Sequence, residues 1–224
     1  MDIFYAPASV FARRATSGFG IPMLVVTVLI GTLFLVNTGV MQPIMDAEFS
    51  RATAAAMRKN PKVTAEQMAQ FRGIGEKFAA VFAFVGPPVA IFVVGLISWI
   101  AGKFVDAKQT FGAALMVAAY AFIPRVIGGI AAGVQGLLMD PASLDSQYRI
   151  SLGPARFLDP DSASPVLLAV AGRLDVFTIW VTVLLVIGLS VTGRISRRKA
   201  AIAGVIVWMT GALPTLLTAL QQQG

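Results

Sequence analysis

Arg125 is the residue whose type and position most demand a chemical explanation. It follows Pro124 and lies five residues after Tyr120, near the middle of an apolar run from Phe111 to Leu138. An arginine at mid-bilayer costs roughly 2.5–3.5 kcal/mol on insertion scales and far more when isolated, so the side chain must face protein or water. Pro124 has no N–H to give to the carbonyl of Tyr120, which predicts a kink and free carbonyls beside the guanidinium. Asn37, Gln135, Thr178 or a lipid phosphate drawn inward are further candidate partners. Asp175 is the nearest acid, at the start of the next apolar run, and reaches Arg125 only if the third helix breaks or tilts. Two roles fit: bracing a kinked central helix, or holding a lipid or substrate. Tyr120, Pro124, Arg125, Asp175 and Trp180 are therefore the candidate positions for a lipid or partner contact or for bracing.

The rest of the chemical inventory is sparse. There is no Cys and no His, which removes thiol nucleophiles, imidazole bases and the usual zinc or haem ligands. No Walker-type loop, no DxD-like acidic pair in a loop facing a pocket and no serine with a nearby base is read here, so no catalytic residue, metal site or cofactor is expected. An acidic pocket would require Asp140, Asp145 and Asp175 to converge, and nothing in their spacing demands it.

The elements that position these residues are membrane helices. Of 224 residues, 57% are hydrophobic and 13% charged, against roughly 25% charged in a soluble domain. The net charge of +7 sits in short clusters between apolar runs, a placement that suits lipid headgroups and excludes a nucleic-acid face. Five runs are long enough to cross roughly 30 Å of hydrocarbon: 21–40, 78–101, 111–138, 176–192 and 200–220. The run from Ile21 exceeds a signal-peptide core and reads as a mature span. The expected architecture is thus all-α, a single polytopic helical bundle over 1–224 with five transmembrane helices. Arg13 and Arg14, Lys103 and Lys108, and the group Arg194, Arg197, Arg198 and Lys199 fall on one side. The positive-inside rule makes that side cytoplasmic and the topology N-in, C-out.

The segments between the spans carry their own patterns. Met45, Phe49, Ala52 and Ala56 recur at helical spacing. Asn60-Pro61 breaks that helix, and Thr64 with Gln67 opens a second one bearing Met68, Phe71 and Ile74. This predicts an extramembrane α-hairpin between spans 1 and 2, either a spacer packed on itself or a docking platform. Pro165 to Ala171 reads as a short interfacial or re-entrant helix, and Ile3, Phe4, Val10 and Phe11 as an interfacial anchor. In the third span Ala114, Ala118, Ala121, Gly128, Ala132 and Gly136 share one face with Arg125, and Gly129 with Gly133 forms a GxxxG suited to close packing within the chain.

Three stretches resemble the Yip family of Ypt/Rab-interacting, five-span membrane proteins in its bacterial form. They are IFYAPASVFARRATSGFGIP before the first span, AAYAFIPRVIGG around Tyr120 and Pro124, and RLDVFTIWVTVLLVIGLSVTG with Asp175, Phe177 and Trp180. The resemblance implies five spans and, for eukaryotic relatives, Rab-type GTPases and vesicle traffic. Here the cytoplasmic tail is only about 19 residues, too little for an interface of roughly 800 Å² per partner. The small-GTPase role is therefore not carried over.

These readings describe a non-enzymatic integral membrane scaffold or accessory protein, linked to membrane trafficking, organisation or a transport complex, in the bacterial inner membrane. The alternative is a lipid or small-solute transport component that uses the third span and Arg125. Membrane lipids and a membrane-protein partner are the expected contacts, and a homo-oligomer is compatible with the small-residue faces.

Overall fold

The computed structural model describes residues 2–223, and among these the chain is all-α. Its helices are α1 (Pro7–Arg14), α2 (Gly20–Val36), α3 (Thr38–Lys59), α4 (Ala65–Lys103), α5 (Phe111–Ala121), α6 (Ile123–Leu138), α7 (Pro165–Gly172), α8 (Val176–Gly193) and α9 (Arg197–Gln223), with two short 3-10 turns at Pro141–Ser143 and Pro154–Phe157. Four helical stretches are long and apolar enough to cross a membrane, and a fifth arises if the bent pair α2–α3 counts as one span.

Several boundaries follow directly from side-chain chemistry. Thr64 and Gln67 close a reciprocal capping box: the Gln67 N–H donates to Thr64 Oγ1 at 3.2 Å, and the Thr64 N–H donates to Gln67 Oε1 at 3.0 Å. Thr110 Oγ1 accepts the Ala113 N–H at 3.2 Å and starts α5. Asp175 starts α8 in the same way, while Arg194, at φ 53°, stops it in the left-handed region. From its cap, α4 runs 39 residues, about 58 Å at 1.5 Å per residue, far more than a bilayer needs.

At the centre stands α5, whose residues from Ala113 to Ala119 are all buried. Small residues bring its neighbours close. A methyl group on Gly188 of α8 would meet Val117 Cγ1 at 2.3 Å, and one on Gly95 of α4 would meet Leu115 Cδ2 at 2.7 Å. The two short basic loops share one end of the bundle: the Lys108 N–H donates to the Gly193 carbonyl at 2.9 Å, and Lys199 pairs with Asp106 at 2.7 Å.

The first span departs from the expected run 21–40. Its helix ends at Val36, and α3 leaves at 74° to α2. The expected packing stripes also lie elsewhere. Met45, Ala52, Phe71 and Ile74 are exposed, and α3 meets α4 through Arg72, which pairs with Asp46 and lies 5.2 Å from the Phe49 ring centroid. The other side of α3 rests on the segment after α6. There Ile44 packs with Leu144 and Ile150, Arg51 donates to the Asp145 carbonyl, and Glu48 Oε1 accepts the Gln147 N–H at 3.0 Å. One apolar contact at Ile44 and polar contacts to backbone groups together dock α3, so the spacing of Met45, Phe49, Ala52 and Ala56 did not mark the docked face. Within that segment Arg149 grips Asp145 at 2.8 and 3.1 Å and holds its carboxyl below the usual carboxylate range.

Replacing Gly188 with Ala should destabilise the bundle by about 1–3 kcal/mol, because Val117 has a branched, stiff side chain that must move as a unit. An unfolding midpoint in detergent equal to wild type would show that α5 and α8 do not approach so closely.

Candidate functional site

The third span is not one helix. Phe122 separates α5 from α6, and Pro124 sits at the start of α6, where its missing N–H costs least. The break re-aims Arg125, whose Nη2 donates to Thr178 Oγ1 at 3.0 Å. Thr178 was among the expected partners, and the free carbonyls of the kink were not needed. Thr178 lies less than one turn from the first residue of α8, so Arg125 sits near that end of the bundle, while α6 continues past it.

Asp175 is close by but does not pair with Arg125. Its Oδ1 accepts the N–H groups of Phe177 at 3.0 Å and Thr178 at 3.4 Å, and its Oδ2 accepts the Leu152 N–H at 2.9 Å. One buried carboxylate thus caps α8 and ties down the chain after α6. The other acids of the imagined acidic pocket have separate tasks: Asp140 accepts the Ala142 N–H at 2.9 Å, and Asp145 pairs with Arg149.

Beside Arg125 lies a cavity of about 230 Å³. Ile30, Leu33 and Phe34 of α2 form one wall, Gly129 and Ala132 of α6 another, with Asn37, Met41 and Ile150 at the end. Arg125 lines it and keeps an exposed surface there. Asn37 occupies the α2–α3 elbow, where its Nδ2 donates to the Gly129 carbonyl at 3.0 Å. The GxxxG pair packs within the chain as expected. A methyl group on Gly133 would meet Asn37 Oδ1 at 2.3 Å, and one on Gly129 would meet Leu33 Cδ1 at 3.3 Å. Below the break the expected single small face divides, with Gly128 against Phe177 and Gly136 against Val40.

Tyr120 and Trp180 belong to a different contact. The Phe11 ring stands edge-on to Tyr120 at 6.4 Å, and Phe4 does the same to Trp180 at 5.5 Å. Ile3, Val10 and Phe11 are buried in the main core, so the N-terminal segment packs into protein and is more than a lipid anchor. An ion pair between Asp2 and Arg13 at 2.7 Å closes it on its exposed side.

Sequence reasoning missed Arg173, a second cation. Its Nη2 donates to the Trp208 carbonyl at 2.9 Å, its guanidinium lies 5.5 Å from the Trp208 ring centroid, and its Nε is buried without an acceptor. It falls just outside the apolar runs, so only the folding of α7 against α9 brings it inward.

These features define a polytopic all-α membrane protein with a broken third span, an N-terminal segment locked onto spans three and four, and an arginine-lined cavity. The match to the Yip1 domain covers residues 1–218, and the chain belongs to that family. It is similar to a membrane protein of Bacillus subtilis, YknW, at 27% identity over 146 residues, which is 65% of this chain and 60% of that relative. The alignment thus spans less than two thirds of the relative's length. No solved structure matches the chain. The apolar helices, the family and the bacterial relative together make it an integral membrane protein of the bacterial plasma membrane.

The aromatic clamp has a measurable consequence. A double-mutant cycle on Phe11→Leu and Tyr120→Leu should give a coupling of about 0.5–1.5 kcal/mol in detergent unfolding. Strict additivity would detach α1 from the bundle.

Proposed function

We propose that this protein is a non-enzymatic scaffold or accessory subunit of a membrane assembly, oriented N-in and C-out. Its membrane-protein partner docks on the outer hairpin formed by α3 and the start of α4. The observation that carries this reading is the pair Phe71 and Ile74, one helical turn apart and 70% and 55% exposed. They lie on the part of α4 that exceeds the bilayer thickness, where apolar exposure marks an interaction surface rather than a lipid contact. The hairpin is also held in one orientation, since Arg72, Glu48 and Arg51 tie it to α4 and to the segment after α6. The structural tasks of Asp140, Asp145 and Asp175 support a non-enzymatic role. Such a subunit fits membrane organisation, trafficking or a transport complex.

The double replacement Phe71→Ser with Ile74→Ser should leave the unfolding midpoint near wild type. It should lower the amount of partner co-purified from the native membrane by about tenfold or more. Undiminished partner in fixed stoichiometry would remove the hairpin from the docking surface; a second copy of this chain in that place would make the assembly a homo-oligomer.

A second reading, a lipid-binding component, is favoured by the cavity beside Arg125. Filling it with Ala132→Leu should strip a lipid that the wild type keeps in mild detergent, as read by native mass spectrometry. Equal lipid retention by both proteins would empty this reading.

A further inference from the structure

Arg125 has too few partners for its surroundings. A guanidinium offers five N–H donors, and the one side-chain bond it makes is to the Thr178 hydroxyl at 3.0 Å. Among the described residues no carboxylate forms an ion pair with it, and the nearby Asp175 has both oxygens occupied by backbone N–H groups. Arg173 is close enough to act on Arg125 electrostatically and adds a second positive charge. Around Arg125 the protein thus offers a hydroxyl and a carboxylate already committed to backbone groups, in an apolar setting where Coulomb attraction to an added anion is stronger than in water.

The shape of the cavity narrows the class of anion. Ile30, Leu33 and Phe34 run along its α2 wall at spacings of three, four and one, which is one face of a helix. Its volume of about 230 Å³ equals on the order of eight water volumes, enough for a headgroup fragment or a length of chain but not a whole lipid. The space is open at its edge, so a ligand seated there can continue outward along the apolar wall, as an amphiphile does. Exposed Phe34 and Arg125 mark the open side.

We propose that this cavity binds an anionic phospholipid, its phosphate held by the free edge of the Arg125 guanidinium and an acyl chain laid along Ile30, Leu33 and Phe34. This rests on the reading that the cavity holds a lipid, and it adds the headgroup charge and the residue that selects it. The planar fork of arginine matches two phosphate oxygens, so lysine cannot replace it at full strength.

The test is native mass spectrometry of the full chain in mild detergent, exchanged against phosphatidylglycerol, phosphatidylcholine with the same chains, or inorganic phosphate. Wild type should keep one phosphatidylglycerol in preference to phosphatidylcholine. Arg125→Gln should lower that retention about tenfold or more, consistent with loss of a charge-assisted pair. Arg125→Lys should also weaken it, which keeps the test decisive if Arg125→Gln fails to fold. Equal retention of the two lipids by wild type, or undiminished phosphatidylglycerol on both variants, would overturn the proposal. So would full displacement by inorganic phosphate, which would make the ligand a free anion. Lipid that shows no headgroup preference but is still lost in Ala132→Leu would leave the lipid cavity standing and sink only the role of Arg125. Lipid untouched by Ala132→Leu would remove both.

Discussion

A helix that breaks inside a bilayer must have its freed backbone groups answered by protein, because lipid offers no donors or acceptors. The same need for internal partners applies where helices are interrupted within apolar runs, at Asn37 and at Phe122. At Asn37 the break occurs beside a polar side chain whose amide reaches the Gly129 carbonyl. At Phe122 the break is coupled to Pro124, which sits at the start of the new helix and so removes a donor that would have been idle there. Each break leans on the other, since Asn37 of the first binds the backbone of the helix that begins after the second. The close approach needs glycine at 133, where a methyl group would collide with Asn37, and is tight at 129 against Leu33.

Asp175 performs the corresponding service at the end of α8. A buried carboxylate is costly unless its lone pairs are filled, and here three backbone N–H groups fill them. That arrangement explains why Asp175 stands close to Arg125 without pairing with it. A carboxylate that caps a helix and anchors Leu152 already has its geometry fixed, and swinging toward the guanidinium would orphan both. Thr178 is left as the protein partner for Arg125, and a hydroxyl carries no charge to balance it.

Much of this was legible in the sequence, and the parts that were not share a physical reason. The apolar runs lie within the helices because hydrophobic length is a local property, and the Thr64–Gln67 box is visible because capping reads four consecutive residues. The helix interruption beside Pro124 has a local cause in its missing N–H, and Thr178 was one of several partners that the charge of Arg125 suggested. Three features were not legible. The 74° elbow depends on what Asn37 finds on α6, 92 residues away. The docking of α3 runs through Glu48 and Arg51 to the Gln147 N–H and the Asp145 carbonyl, and backbone donors and acceptors leave no mark in a sequence. Arg173 lies outside every apolar run and turns inward to Trp208 only because α7 folds against α9.

The same geometry connects the hairpin to the cavity. Ile30, Leu33 and Phe34 stand before the elbow, Met41 after it, and Asn37 within it, and all five line the cavity. Ile150, which also lines it, packs with Ile44 of α3 in the small core that seats the hairpin. A ligand in this space touches both arms of the elbow at once. A ligand whose affinity differed between elbow angles would, by linkage, shift that angle in turn. The cavity and the small core that seats α3 are thus built around one element, the elbow at Asn37, and share Ile150.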